Sequence, residues 1–234
     1  MTFAPARAAI VTVLLAGLAM TAHADDGLDP YRELSRTAAN RQLLGLARHA
    51  MEARWESEPS VASDDGLLSA AIDSAALAAA PDWPGPPTGL YVTLVGRNGT
   101  RACVGSVAPM RGTLPASVAA LAVDALSADR RRPAIRRDEL DSLRILIAFA
   151  GPAEPIADPR LVDPSREGLI VGGADVAVAF LPGEARTIAW ALREARRIGA
   201  LRPNESASYR RFAAVVIQEP RPPSAETRGD ERGH

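Results

Sequence analysis

Two stretches of this chain open on the same order of signals. From Gly89, the β-branched run GLYVTLV meets the turn Arg97, Asn98, Gly99 and a second run, ACVGSV; a helix and then the buried strand LRILIAFA follow. From Gly168, GLIVGG meets VAVAFLP across a glycine turn, and again a helix and a strand, FAAVVIQ, follow. Thr113 and Pro115 mark the start of the first helix, with Val118, Leu121, Ala122 and Ala125 as its buried stripe. Ile188, Leu192, Ala195 and Ile198 share one face of the second, which ends at Gly199. The repeated order predicts an α+β fold: two strand–strand–helix–strand repeats forming mixed or antiparallel sheet, with flanking helices and a helix ahead of them.

Before the repeat, Arg7 precedes the apolar run AAIVTVLLAGLAM and then TAHA, with Ala22 and Ala24 in small-x-small spacing and Asp25 and Asp26 beyond. That order reads as a signal peptide over residues 1–24, cleaved after Ala24, and predicts a periplasmic or secreted protein. No cysteine stands at the cleavage point and no paired arginines precede the run, which points to neither a lipid anchor nor the twin-arginine route. No later run is long enough to span a membrane. Residues 25–32 read as a polar leader, 33–219 as a single domain, and 220–234 as a disordered tail. Within the domain, YRELSRTAANRQLLGLARHAMEARWES reads as one helix, with Leu43, Leu44, Ala47, Met51 and Trp55 on one face. Residues 66–80 read as a second, alanine-rich helix, and PDWPGPP as a connector.

Composition removes several kinds of chemistry. Cys103 is the only cysteine, so the core holds the fold without a disulfide. All 27 basic residues are arginine, which excludes a lysine nucleophile or Schiff base. A formal charge of −1 gives no pull toward nucleic acid or an anionic membrane. After signal cleavage the histidines are His49 and His234, too few beside one cysteine for the usual zinc site. GLIVGGAD lacks the spacing of a phosphate cradle, and no cofactor is indicated.

The second run of the first hairpin puts Cys103 and Gly105 on one face and Ala102 and Val104 on the other. A glycine inside a strand marks a bulge or a close approach of another backbone or a ligand. Arg101 beside the thiol would favour a nucleophilic thiolate, whereas a packed cysteine acts as a small hydrophobe. Ser106 is a further candidate nucleophile, for which the sequence supplies no base. Arg130, Arg131, Arg132, Arg136 and Arg137 form a dense cluster, partly neutralised by Asp129, Asp138 and Glu139. Such a cluster is either a solvated face or a site for bidentate recognition of a carboxylate or phosphate.

GLYVTL followed by RACVGSV resembles the signature of the AMMECR1 domain family, a Gly-Phe-Val-Thr-Leu strand leading into Leu-Arg-Gly-Cys-Ile-Gly. LLGLARHAMEA resembles the family's opening helix, and ADRRRPAIRRDEL its Asp-Pro-Arg-Phe-x-Pro…Glu-Leu segment, keeping Asp129, Arg131, Pro133, Glu139 and Leu140. REGLIVGGADVAVAFLP and ARRIGAL resemble its later strand pair and close, so the likeness runs from Leu43 to Ile217. Ala102, Arg132 and Gly183 depart from the pattern. The resemblance implies an α+β fold of two related halves and a functional link, in microbes, to MEMO-like proteins and radical SAM enzymes.

Two functions follow as alternatives. One is an exported module binding a small anionic ligand or another protein, through Arg101, Gly105, Ser106, Asp129 and Arg131. The other is an enzyme or enzyme component with Cys103 as an activated catalytic thiolate near Arg101 and Arg131. The absence of a companion base in the sequence favours the first.

Overall fold

Each half of the chain pairs three strands of its own before the halves meet. The structure, a computed structural model, describes residues 26–56, 83–85, 87–106, 112–129, 132–173, 176–202 and 205–221. In the first half β1 (Gly89–Gly96) pairs with β2 (Gly99–Ser106) and β3 (Arg144–Ala150). In the second, β5 (Glu167–Gly172) pairs with β6 (Ala177–Phe180) and β7 (Ser208–Gln218). β3 and β7 then pair with each other, and a short β4 (Glu154–Ile156) adds to β7. The order β2–β1–β3–β7–β5–β6 is unchanged when corresponding strands of the halves are exchanged, the arrangement two related repeats produce. All described pairings are antiparallel, so the curled sheet is antiparallel and not mixed.

The repeat extends to the helices. α3 (Leu114–Asp124) lies between β2 and β3, and α5 (Ile188–Arg197) between β6 and β7; α4 (Arg137–Leu140) is a single turn before β3. Thr113 Oγ1 accepts from the Ala116 N–H at 3.4 Å and Thr187 Oγ1 from the Trp190 N–H at 3.1 Å, satisfying a first-turn donor in each helix. Gly199 ends α5 with φ +77°, a conformation that carries no side-chain penalty only in glycine.

At the N-terminus the single expected helix is two, α1 (Asp29–Arg36) and α2 (Ala39–Glu56). Thr37 is extended, and its hydroxyl donates to the Leu34 carbonyl at 3.0 Å and accepts from the Ala39 N–H at 3.3 Å. This local bonding replaces the helical ladder at that point. The polar leader also needs correction. Leu28 and Tyr31 are 1% and 4% exposed, and the Tyr31 ring stacks on Phe149 with centroids 4.8 Å apart. Asp26 accepts from the Leu28 N–H and pairs with Arg32. Residues 26–32 therefore pack on the core instead of standing off it as a leader, because two apolar anchors in the stretch outweigh its polar residues. The expected signal peptide, the helix at 66–80 and the tail beyond Arg221 lie outside the described residues. No helix among the described residues is long and apolar enough to cross a membrane.

Strand alternation assigns the faces. Leu90, Val92 and Leu94 of β1, Ile145, Ile147 and Phe149 of β3 and Ile217 of β7 meet α1, α2 and α3 in one core. Leu169 and Val171 of β5 and Phe180 of β6 meet Ala191 and Ala195 of α5 in another. The register places both cores on the same face of the sheet. On the opposite face a smaller cluster joins the halves: Tyr91, Ala148, Ala150, Ile170, Leu181 and Phe212. The Tyr91 and Phe212 rings stack there with centroids 6.2 Å apart.

Candidate functional site

Arg101 decides where the thiol points. Next to the turn, Gly96 pairs with Gly99 and Val95 with Thr100, but Leu94 pairs with Ala102, so Arg101 is an extra residue on β2. A bulge of one residue exchanges the faces of everything beyond it. Without it, Cys103 would lie opposite Val92, on the helix-covered face. With it, Cys103 lies opposite Thr93, on the face carrying the Tyr91–Phe212 cluster, and is half-buried.

The surroundings of Cys103 are polar on one side and apolar on the other. Thr93, 3% exposed, donates its hydroxyl hydrogen to Sγ at 3.1 Å. The Cys103 N–H points out from the sheet edge and donates to Asp129 Oδ2 at 2.9 Å; Asp129 is 8% exposed. Tyr91, two pairing steps along and on the same face, is 6% exposed. Burial first, and then a thiolate at Cys103, raise the Tyr91 phenol pKa well above its usual value. Tyr91 is therefore a neutral hydrogen-bond donor throughout the physiological range.

The remaining predicted residues divide into different roles. The Arg101 guanidinium donates to Glu139 Oε2 at 3.1 Å and to the carbonyls of Pro133 and Ala134 at 2.9 and 3.2 Å. Together with Asp129 it fastens the segment before α4 along the outer edge of β2, where unpaired strand groups would otherwise be exposed. Gly105, at φ +151°, has no room for a side chain: a Cβ there would lie 2.1 Å from the Leu90 carbonyl oxygen and 2.6 Å from the Tyr91 ring. The close approach expected at this glycine comes from the neighbouring strand. Ser106 pairs with Leu90 and so takes the helix-covered face, away from Cys103. Arg131 lies outside the described residues, while Arg132 is exposed and Arg136 pairs with Asp138. His49 is exposed on α2, across the sheet from the thiol. Among the described residues no three His, Cys, Asp or Glu side chains gather to hold a metal ion.

Sequence reading missed Tyr91 and Thr93 as site residues. Period-two alternation places them on one face of β1, but only the bulge reveals that Cys103 shares it.

The fold and this face define an α+β domain of two related halves, with one thiol on the sheet surface away from the helices. The AMMECR1 family profile matches residues 44–215, and the chain belongs to that family. A protein of Aeropyrum pernix is 32% identical over 163 residues, spanning 62% of this chain and 70% of the relative. One of Methanothermobacter thermautotrophicus is 28% identical over 170 residues, spanning 70% of this chain and 81% of the relative. The crystal structure of an uncharacterized protein from Pyrococcus horikoshii is similar in fold, with a TM-score of 0.55 and 23% identity over 77% of this chain and 91% of that one.

Proposed function

We propose that this AMMECR1-family protein is an exported ligand- or partner-binding module whose contact surface is the sheet face around Cys103. One observation carries the reading: the thiol is half-buried on a face that presents hydroxyls and small apolar side chains, and no described histidine shares it. A nucleophilic cysteine mechanism needs a base to take the thiol proton. Thr93 is spending its hydroxyl hydrogen on the sulfur, and Tyr91 stays protonated. Export is supported by the order of charge, apolar run and A-x-A spacing in residues 1–24. The engagement of Arg101 with Glu139 moves the reading away from an anionic ligand held beside the thiol. The partner alternative is another protein.

A second reading has its own support, since a hydrogen bond donated to Sγ favours the thiolate; it makes Cys103 the nucleophile of an enzyme or enzyme component. Alkylation of residues 25–234 with iodoacetamide, across pH, folded and denatured, separates the two. The binding reading expects folded Cys103 to label with an apparent pKa near the ordinary ~8.5. A pKa depressed to about 7 or below would transfer the assignment to the nucleophile.

A further inference from the structure

The two outer edges of the sheet are finished differently. β2 and β6 hold corresponding places in the strand order, but a segment lies along β2, where Asp129 accepts from the outward Cys103 N–H. That segment belongs to the stretch 125–143 between α3 and β3, whereas the stretch between α5 and β7 runs only from 198 to 207. In the second hairpin the Gly173 N–H donates to the Val176 carbonyl at 2.9 Å, which fixes its bonding pattern. Val171 with Val178 and Leu169 with Phe180 carry the bonds to β5, so Ala177 and Ala179 turn their N–H and C=O groups outward. Leu181, next in that series, has both outward groups bonded to Glu184: its N–H to Oε2 and its carbonyl to the Glu184 N–H, each at 3.0 Å. Among the described residues nothing takes up the outward groups of Ala177 and Ala179. Ala177 is exposed, and Val176 beside it is one of the exposed large hydrophobic residues, at 54%. From Val176 to Leu181 the chain has no charge, proline or bulge, the devices that keep an edge from pairing.

We infer that β6 is an interface with a second copy of this chain, the two β6 strands pairing antiparallel about a two-fold axis at Val178. Ala177 then lies opposite Ala179 of the partner subunit, and each such pair exchanges both of its hydrogen bonds. An added peptide would draw specificity from pockets for its alternate side chains, and β6 offers only the methyls of Ala177 and Ala179 on the face away from the helices. A second copy needs no pocket. Methyl meets methyl, no like charges face each other, and Val176 falls at the pairing position of Phe180 of the partner subunit, out of water. The same surface serves both copies, as a two-fold interface requires. Antiparallel edge pairing keeps each face on its own side, so both Cys103 faces look the same way. The inference stands apart from the reading of that face.

The test is sedimentation velocity on residues 25–234, which hold every described residue, in reducing buffer from about 1 to 500 μM. Amide exchange at Ala177 and Ala179 is followed by NMR at both ends of that range. A monomer–dimer equilibrium with a Kd of about 10–100 μM is expected, in keeping with a short edge. Both amides should exchange more slowly at the higher concentration. Ala179→Pro removes an outward N–H and no bond to β5, and Val176→Lys places a charge at the edge. Each should weaken self-association at least about tenfold, with the thermal midpoint at low concentration as the folding control. Where Ala179→Pro lowers that midpoint, Val176→Lys, at an exposed position, decides alone. A monomer throughout the range overturns the inference and leaves the edge to a different partner. A dimer unaffected by the variants forms through another surface and overturns it too. Amides equally slow at both concentrations would mean that the chain covers its own edge, which also overturns it.

Discussion

Gly105 and Tyr91 form a matched pair on adjacent strands. The Tyr91 ring lies over the space a side chain at 105 would fill, and the Leu90 carbonyl closes the rest. Gly105→Ala therefore meets backbone as well as an aromatic ring, and a denaturant titration should show a loss of about 3 kcal/mol or more, a size reserved for such clashes. Because the Tyr91 phenol pKa is raised by folding, the unfolded chain releases this proton first as pH rises past about 10. The contribution is intact below that pH and is lost progressively above it. Tyr91→Phe should thus flatten the fall in stability at alkaline pH, with Tyr31, also raised by burial, accounting for part of what remains. Thermal melts from pH 8 to 11 on both proteins would check this; curves of equal slope would show that Tyr91 titrates alike folded and unfolded.

Each repeat builds its helix from the same local device, a threonine cap. Thr113→Ala and Thr187→Ala should each cost about 1 kcal/mol in chemical unfolding. The Thr187 change should cost at least as much, since its bond is 3.1 Å against 3.4 Å. A negligible effect of both would mean that packing alone sets the helix starts. The segment from Asp129 to Glu139 works in another way. It has one turn of helix, and its polar side chains hold it against the edge of β2 through Cys103 N–H and Arg101. Asp129 and Glu139, the acids kept in the family resemblance, thus have structural partners on the strand that carries the thiol.

At the scale of the molecule, β7 joins the halves. Its eleven residues pair with β5 along one edge and with β3 and β4 along the other. Past its end, Glu219 accepts from the Ile145 N–H at 2.8 Å and pairs with Arg48 of α2, whose guanidinium also donates to the carbonyls of Leu140 and Leu143. Both side chains of the pair are about a fifth exposed. Glu219→Ala would strand the Arg48 charge and the Ile145 N–H together, and should cost about 2–3 kcal/mol. The direct check is the shift in urea midpoint at unchanged slope; a change in slope instead would show the two halves unfolding separately.

The sequence by itself determined the strands and helices of the two repeats and their order, because strand alternation, the Thr113 cap and the glycine at 199 are local signals read within a few residues. It also carried the family resemblance and the pairing of Cys103 with Gly105 on one face. It did not determine which face. That depended on Arg101, whose ion pair with Glu139 and bonds to Pro133 and Ala134 join residues more than thirty positions apart and accompany a one-residue bulge. The expectation of an arginine beside the thiol looked only at neighbours in the chain, whereas a guanidinium goes where acceptors converge. The break at Thr37 and the anchoring of Leu28 and Tyr31 escaped for a similar reason: a short stretch shows its polarity, and only the packed core shows which of its few apolar residues are buried.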